Sequence, residues 1–299
     1  MSYKEHIKSF LGAMPRIFGI SYCIRELVLR NKNTILCYHN PSPDHLRAHL
    51  TYLVQRYNII SLDALVKAIM NKKWSDIPPK SLVITFDDGL RGNYDLLKVI
   101  REFKVPVTIY LCSHIVNTNR RYWFLSDFSD FQKLKARPNQ ERLSVLKERV
   151  GFEQEKEYEE PQSLNIDEMK EMIECFNFQS HSRFHPVLTT CDDGECLEEI
   201  KGSKQLLENI FNLEIRHFAY PNGNYGKREI ACLMQSGYNS AVSMDFGWNH
   251  VNSDPFCLKR IGVSDHASTS ELVGEISGIF GFLRSLLAFS LPKTLWKSV

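Results

Sequence analysis

The sequence lacks several features that mark specialised classes of protein. Its net charge is only +2, so no overall field favours nucleic acid or another polyanion as a partner. It has no run of the roughly 18 apolar residues that a membrane-spanning helix needs. The first part of the chain carries charged side chains early and has no uninterrupted apolar stretch, so it does not resemble a signal peptide. We therefore expect a cytoplasmic protein that binds no nucleic acid.

Paired cysteines are also missing. The eight cysteines are scattered and none forms a C-x-x-C pair, which argues against a zinc knuckle and against a small disulfide framework. Cys37, Cys112 and Cys257 lie within apolar runs typical of strands, where a free thiol behaves as a small hydrophobic group. With 43% hydrophobic and 24% charged residues, the composition is that of an ordinary globular protein.

Apolar, β-branched runs alternate with helix-like stretches along most of the chain. The alternation predicts an α/β fold with a mainly parallel sheet that is covered on both faces. About seven strand units are close to the number in an α/β barrel, where the chemistry lies at the carboxyl ends of the strands. The predicted strands are 33–39, 81–86, 105–112, 175–180, 215–220, 238–244 and 256–263.

Residues 116–162 interrupt this alternation with a charged, mostly helix-like stretch. We interpret it as a helical insertion over one rim of the domain, with a solvated face.

Both ends of the chain carry apolar side chains at helical spacing. Residues 5–29 are flanked by basic side chains, and residues 272–298 crowd bulky apolar residues together. Either these segments pack on the domain and on each other, or they form a basic amphipathic surface that lies in a membrane interface. The sequence accordingly divides into an amphipathic segment 1–32, a central domain 33–268 and an apolar segment 269–299.

Two adjacent carboxylates, Asp87 and Asp88, follow the apolar strand 81–86. Like charges that are partly buried side by side need a proton or a cation between them. A polar turn that happens to open with two acids is the simplest interpretation of this motif alone.

Two histidines, His181 and His185, follow another predicted strand. Because they are four residues apart, they share one face of a helical turn and can bind one metal ion. The zinc-peptidase motif needs Glu after the first histidine, and Ser182 stands there instead. The aspartates complete the set, with one carboxylate and two imidazoles as ligands and the other carboxylate as a base. A third motif, FAYPNG at 218–223, is a strand end that breaks into a Pro-x-Gly turn, and such a turn can direct a backbone N–H at an oxyanion.

The motifs TFDDG, HSRFHP and FAYPNG, in this order after Tyr38–His39, resemble those of the polysaccharide deacetylase (NodB-homology) family, carbohydrate esterase family four. The resemblance spans residues 33–265, so the central domain would be the catalytic domain. It implies a distorted (β/α) barrel, similar to the one predicted from the strand count. It also implies a hydrolase that removes N-acetyl groups from sugars with one divalent metal ion, usually zinc.

The resemblance implies a role for individual residues. Tyr220 and Pro221 would contact the substrate. The other roles would be Asp87 as catalytic base, Asp88, His181 and His185 as metal ligands, and Asn222 as donor of a backbone N–H to the oxyanion.

Two assignments follow the family less directly. The general-acid histidine of the family lies late in the chain, which points to His266. His39, at the end of the first strand, is the alternative, and it could also contact the substrate. The arginine that often precedes the proline and pairs with the base is absent, and Ala219 stands near its place. Without that arginine, we expect a bound cation to keep Asp87 ionised and Asp87 to be a stronger base than in relatives that have the arginine.

The leading hypothesis is a deacetylase of an N-acylated sugar in a polysaccharide or in a lipid-linked glycan intermediate. We expect it either free in the cytoplasm or peripheral on the inner face of the membrane. A deformylase of a lipid-linked amino sugar is a close alternative, since the same site attacks either amide. A catalytically silent carbohydrate-binding member of the fold is another, although the intact base and ligands argue against it. A metal phosphoesterase would need more carboxylates.

Overall fold

The computed structural model describes residues 19–126, 128 and 130–281. The strands in this part of the chain are β1 (Thr34–Tyr38), β2 (Asn58–Ile59), β3 (Ser81–Phe86), β4 (Val107–Leu111), β5 (Phe176–Ser180), β6 (His217–Ala219), β7 (Ser240–Phe246) and β8 (Leu258–Gly262). Seven of them close into a parallel barrel in the order β1-β8-β7-β6-β5-β4-β3, because β3 pairs with β1. The short β2 pairs with β3 outside the ring. The predicted barrel of about seven strands is confirmed.

Helices connect the strands and cover the outside of the barrel. They are α1 (Ile20–Cys23), which continues as a π-helical turn (Ile24–Val28), α2 (Pro43–Leu53), α3 (Leu62–Met70), α4 (Leu97–Phe103), α5 (Phe131–Lys135), α6 (Asn139–Val150), α7 (Ile166–Met172), α8 (Asp193–Phe211), α9 (Lys227–Gln235) and α10 (Thr269–Ile276). Short 3₁₀ turns lie at Trp74–Asp76, Arg91–Leu96, Trp123–Leu125, Leu188–Thr190, Pro221–Gly223 and Pro255–Cys257.

Side-chain caps determine where several of these helices begin. Ser42, Ser61 and Asp192 accept backbone N–H bonds at the starts of α2, α3 and α8. Asn165 and Ser268 do the same for α7 and α10, and their own backbone N–H groups donate to a Glu three residues later. These bonds satisfy donors that a helix leaves free in its first turn.

The strands place their following residues at one rim of the barrel. Every residue of β1, β3 and β4 is buried, as expected for parallel strands that are covered on both faces. Tyr38 lies opposite Phe86 in the register of β1 and β3, and the N–H of Asp87 donates to the carbonyl of Tyr38 at 3.0 Å. His39 and Asp87 therefore leave neighbouring strands side by side.

A chain of polar side chains closes the opposite, amino end of the barrel. His217 and Ser240, the first residues of β6 and β7, are sheet partners, and His217 Nδ1 lies 2.8 Å from Ser240 Oγ. His217 Nε2 and Arg216 Nη2 both contact Asp63 Oδ1, at 3.1 and 3.2 Å. The order Asp, His, Ser matches that of a catalytic triad, but Ser240 has no exposed surface, so no substrate reaches it. We interpret this network as structural.

The insertion at 116–162 has exposed charged side chains, as expected for a solvated face, and in addition an apolar cluster of its own that the sequence analysis did not predict. Trp123, Leu134, Leu146 and Phe152 are buried together with Val187, which follows β5. These apolar positions are far apart in the sequence and stand among charged residues, so no periodicity reveals them. The insertion is therefore packed against the barrel over the rim that carries the aspartates and histidines.

The predictions for the ends of the chain fall largely on residues 1–18 and 282–299, which lie outside the described residues. The membrane-interface interpretation therefore stays a prediction. Within the described part, Leu272, Val273 and Ile276 of α10 join the main core. Among the described helices, none combines the length and the hydropathy of a membrane span.

We expect Asp63→Asn to destabilise the fold through the network at the amino end of the barrel. The hydrogen bond with His217, together with the charge of Arg216, lowers the pKa of Asp63 by more than burial raises it. A carboxylate whose pKa is lowered by folding stabilises the protein at pH values above its pKa in the unfolded chain, which is about 3.9. This stabilisation is lost as the pH falls through the lower pKa of the folded protein. Urea denaturation at pH 7 should show a loss of about 1 kcal/mol, and the loss should be smaller at pH 3.

The matched control is Asp76→Asn, at an exposed position whose side chain makes no ion pair among the described residues. Equal urea midpoints for the wild type and Asp63→Asn at pH 7 would contradict the stabilising role of the network.

Candidate active site

Side chains that follow the strands meet at the carboxyl rim of the barrel and line a cavity of about 440 Å³. A larger cavity, of about 680 Å³, lies near the amino ends of β4 and β5, but no histidine or aspartate lines it. The chemistry therefore points to the smaller cavity. Its lining residues are His39, Asp87, Asp88, Trp123, Phe124, Phe131, Lys135, His181, His185, Tyr220, Asn222, Gly223 and Met244.

Asp88, His181 and His185 have the geometry of a metal site. The Oδ1 atom of Asp88 lies 3.5 Å from His181 Nε2 and 3.4 Å from His185 Nε2, and all three side chains are buried. This oxygen has no hydrogen-bond partner among the described residues. Ligand atoms bound at 2.0–2.2 Å to one tetrahedral ion lie roughly 3.3 to 3.6 Å apart. A buried oxygen without a partner, at this distance from two imidazole nitrogens, fits a divalent cation.

The backbone around these ligands is strained. Asp88, Ser182 and His185 have φ angles of 75°, 67° and 59°, in the left-handed region that non-glycine residues seldom adopt. Such conformations persist only where the surrounding contacts hold them, and they are common at functional sites. Here the turn at Asp88 directs its carboxylate toward the histidines, while the carboxylate of Asp87 pairs with a different group.

A buried glutamate holds the histidine loop. Glu199 of α8 accepts the backbone N–H groups of Arg183 and Phe184 on the same oxygen, Oε2, at 2.8 and 3.0 Å. The Nδ1 atom of His181 lies 2.8 Å from the carbonyl oxygen of Ala219, so the Nε2 atom is the one that faces Asp88. Partners of this kind orient metal-binding imidazoles.

The insertion also holds the ligands through their backbone. The indole N–H of Trp123 donates to the carbonyl of His185 at 2.7 Å, and the hydroxyl of Tyr122 donates to the carbonyl of Asp88 at 2.8 Å. The wall of the cavity and two of the three candidate ligands are therefore parts of one bonded unit.

The charges around the candidate ligands favour a cation. Burial raises the pKa of Asp88, but the close imidazoles of His181 and His185 outweigh it, so the pKa is lowered. Burial and the charge of His181 lower the pKa of His185 to about 3, which keeps its imidazole in the neutral form that binds metals. Burial lowers the pKa of His181, but Asp87 and Asp88 raise it more. A cation would compensate this same negative charge.

Arg260 of β8 pairs with Asp87, which corrects the prediction that the candidate base has no arginine partner. Its Nη1 and Nη2 atoms each donate to one carboxylate oxygen of Asp87, both at 2.7 Å. Its Nε donates to the carbonyl of Ser243 at 2.9 Å, and the side chain has no exposed surface. A bidentate, buried pair is a strong form of ion pair. The partner comes from β8 and not from the position near Ala219 on β6.

This pairing also changes the prediction about the ionisation of Asp87. Burial raises the pKa of Asp87, but the charge and hydrogen bonds of Arg260, together with the charge of His181, outweigh it and leave the pKa well below its ordinary value. Asp87 is therefore ionised without help from a metal ion, and it is a weaker base than the absence of an arginine would make it. The Cys37 thiol donates to Oδ2 at 3.5 Å, and burial raises its pKa, so it stays neutral.

The structure separates the two candidates for the general acid. His39 lines the cavity, and a ring nitrogen lies within 4.8 Å of a carboxylate oxygen of Asp87. His266 lines an adjacent cavity of about 400 Å³, and its ring lies 6.1 Å from that of His45. His39 borders both cavities, whereas His266 does not line the one that holds the aspartates.

The third motif forms the turn after β6. The N–H of Gly223 donates to the carbonyl of Tyr220 at 2.8 Å, and a Cβ on Gly223 would lie 2.5 Å from Cβ of Met244. Asn222 has a φ of 58°, and its backbone N–H has no acceptor among the described residues. Tyr220 and Asn222 line the cavity, while Pro221 begins the turn behind it.

The insertion contributes an aromatic and cationic wall that the sequence analysis did not predict. Phe124, Phe131 and Lys135 line the cavity beside Trp123. The ring centroid of Phe124 lies 4.5 Å from that of His185, and Phe131 stacks on Trp123 at 5.1 Å. The available signal was the aromatic run YWF inside a charged stretch.

The chain is similar in sequence to proteins of one family. The sequence profile of the polysaccharide deacetylase family matches residues 75–241, which is more than half of the 299 residues. The Bacillus subtilis protein YxkH, named for this family, is 22% identical over 251 residues, which cover 80% of this chain and 74% of YxkH.

The fold is similar to that of solved deacetylases. The Streptococcus pyogenes deacetylase PplD, solved in complex with acetate, matches with a TM-score of 0.61 and 19% identity, over 82% of this chain and 97% of PplD. IcaB from Ammonifex degensii matches with a TM-score of 0.62 and 17% identity, over 83% of this chain and 97% of IcaB. At these identities the likeness shows a shared fold.

We expect Arg260→Met to move the acid limb of the pH–rate profile to higher pH. Without Arg260 the buried carboxylate of Asp87 loses the charge that outweighs its burial, so its pKa rises and the ionised base is lost at a higher pH than in the wild type. The limb should move up by at least about one pH unit in kcat/KM for acetate release from an N-acetylglucosamine oligosaccharide.

Arg260→Lys is the matched control, because it keeps a charge but loses the bidentate pair, and it should give a smaller shift. Circular dichroism must show that the variants are folded, since an unpaired buried charge is strongly destabilising. An unchanged acid limb in folded Arg260→Met would exclude this role of Arg260.

If His181 and His185 bind a metal ion, we expect Glu199→Ala to weaken the binding of added zinc about 10- to 100-fold, because loss of its carboxylate frees the loop between these two candidate ligands. Glu199→Gln should bind zinc nearly as well as the wild type, since one amide oxygen can accept the same two N–H groups. Glu198→Ala, which removes an exposed carboxylate that pairs with Arg183, is a second control. The affinity is measured by competition with a chromophoric chelator, and equal affinities for the alanine variants at 198 and 199 would refute the role of Glu199.

Proposed function

The chain belongs to the polysaccharide deacetylase family, and on that premise we propose that it hydrolyses the N-acetyl group of a sugar in a glycan. The proposed reaction uses one divalent metal ion, zinc, held by Asp88, His181 and His185. The observation that carries the proposal is the unpartnered Oδ1 atom of Asp88, buried 3.4 and 3.5 Å from two imidazole nitrogens. Three protein ligands leave a position for the reaction, as in catalytic zinc sites.

Such an ion, when bound, polarises a carbonyl and makes water a better nucleophile near neutral pH. Asp87, ionised and fixed by Arg260, accepts the proton of the attacking water, a role that contributes roughly 10² to 10⁴-fold in rate. His39 then donates a proton to the leaving amine of the sugar. The shared cavity and the short distance between His39 and Asp87 favour His39 over His266 for this step.

The turn after β6 stabilises the negative charge that develops on the amide oxygen. The backbone N–H of Asn222 has no partner among the described hydrogen bonds, and the strained turn holds this residue at the cavity. One such donor contributes about 10²- to 10³-fold to kcat in enzymes where it has been removed. Tyr220 helps to hold the turn, because its carbonyl accepts the N–H of Gly223 at 2.8 Å, while its hydroxyl is occupied by the carbonyl of Phe256 at 3.0 Å.

The two aspartates are expected to fail in different ways. Asp87→Asn should keep stoichiometric zinc and lose about 10²- to 10⁴-fold in kcat, because the proton acceptor is lost while all three proposed ligands remain. Circular dichroism must show that this variant is folded, since Arg260 loses its buried partner. Asp88→Asn should lose both zinc and activity, because a ligand is lost. Zinc is measured by elemental analysis after dialysis, and acetate and formate release are measured by mass spectrometry, so that a deformylase would be recognised by its product.

Asp193→Asn is the matched control, since that side chain is 91% exposed and lies outside the cavity. Near-normal turnover of Asp87→Asn, or full zinc content in Asp88→Asn, would show that the two roles are wrongly assigned. Zinc binding by the wild type without release of any acyl group would favour a silent carbohydrate-binding protein.

A further inference from the structure

The cavity contains a lysine whose charge the proposed mechanism does not use. Lys135 is the last residue of α5 in the insertion and lines the cavity together with the candidate base and ligands. Its Nζ atom donates to Oδ1 of Asn222 at 2.5 Å and lies 5.1 Å from the centroid of the Phe131 ring. Both contacts hold the ammonium group at the wall that faces the barrel rim.

No carboxylate in the described part of the chain pairs with this charge. Among the described residues Lys135 forms no ion pair, whereas Lys133 on the same helix pairs with Asp130. The acids of the cavity are engaged elsewhere, since Asp87 is neutralised by Arg260 and Asp88 faces the two histidines. Partial burial lowers the pKa of Lys135, so the protein alone does not compensate the loss of its hydration.

The surroundings of Lys135 suit a charged sugar. Phe124 and Phe131 offer exposed parts of their rings to the cavity, and aromatic rings of this kind pack against the apolar face of a ligand. A cation beside such a surface adds a directed contact to a carboxylate or phosphate oxygen, and a hydrogen bond between charged groups is stronger than a neutral one. A neutral sugar would leave the half-buried ammonium group without a counter-charge.

We propose that Lys135 is a specificity-determining residue that binds an anionic group, a carboxylate or a phosphate, attached to the N-acylated sugar. The preferred substrate is then an acidic sugar unit, either a hexosaminuronate or a hexosamine phosphate. The proposed role of Lys135 rests on the proposed function only for the identity of the reacting amide. The binding of an acidic sugar can be measured without turnover.

The kinetic experiment compares three substrates with the same acetamido group: an N-acetylglucosamine oligosaccharide, N-acetylglucosamine 1-phosphate and N-acetylglucosaminuronate. The wild type should prefer at least one acidic substrate by about 10-fold or more in kcat/KM. Lys135→Gln should lose most of this preference through KM, with kcat and the neutral substrate changed less than about twofold. Lys133→Gln, on the same helix, should behave as the wild type. The acidic substrate that shows the preference identifies the source of the anion.

Glutamine at 135 keeps an uncharged N–H donor on a side chain one carbon shorter, so the comparison of neutral with acidic substrates is what separates the charge from the tether between α5 and the turn. An equal loss on neutral and acidic substrates would mean that Lys135 only holds the wall in place. Equal rates on all three substrates in the wild type would also overturn the proposal.

A binding experiment keeps the two proposals distinguishable. Calorimetry with zinc-loaded protein compares glucosamine, glucosamine 1-phosphate and glucosaminuronate as ligands, in the wild type and in Lys135→Gln. Tighter binding of an acidic ligand that Lys135→Gln abolishes would support the role of Lys135 even if no substrate is deacetylated, in which case only the proposed reaction fails. Equal binding of all three ligands would refute the role of Lys135 whatever the activity.

Discussion

The burial of two adjacent carboxylates at the end of β3 is the constraint on which the rest of the site depends. Asp87 and Asp88 are 3% and 2% exposed, and neither can remain charged there without compensation. The protein provides a different partner for each. Asp87 binds Arg260 from β8, while the left-handed backbone at Asp88 turns its carboxylate toward His181 and leaves one oxygen without a hydrogen bond. The closed barrel is what allows this division, since it brings β8 and β5 to the same rim.

The insertion links the wall of the cavity to the candidate ligands. Trp123 and Tyr122 bind the backbone carbonyls of His185 and Asp88, and the same segment continues into the wall that carries Lys135. A change in the wall therefore acts on the ligands as well. Replacing Tyr122 or Trp123 would break a bond to a candidate ligand residue. A substitution of Lys135 at the end of α5 that removes only its charge leaves both of these bonds intact.

Sequence analysis predicted the seven barrel strands and the residues that now lie at their carboxyl rim, because continuous apolar runs and short motifs are local signals. It did not predict Arg260, since the pairing with Asp87 spans 173 positions and depends on how the barrel closes. The signal was Arg260 in the strand FCLKRIGV, next to Lys259 and therefore on the opposite face, and a buried strand face tolerates a charge only with a partner. The general acid was ambiguous for a related reason, because only the register of β1 and β3 shows that His39 lies beside Asp87.

If Asp87 is the catalytic base, as proposed, its strong pairing with Arg260 holds that base firmly in its ionised form. A lower pKa weakens the base, but Arg260 and the thiol of Cys37 also fix both carboxylate oxygens in place. Where the nucleophile is itself activated by a cation, the proton to be removed is already more acidic, so a weak base in the correct position suffices. A base that is always ionised then keeps its function over a wide pH range. The pairing therefore favours position and constant charge over basicity, and the cation next to Asp88 would supply the activation that Asp87 gives up.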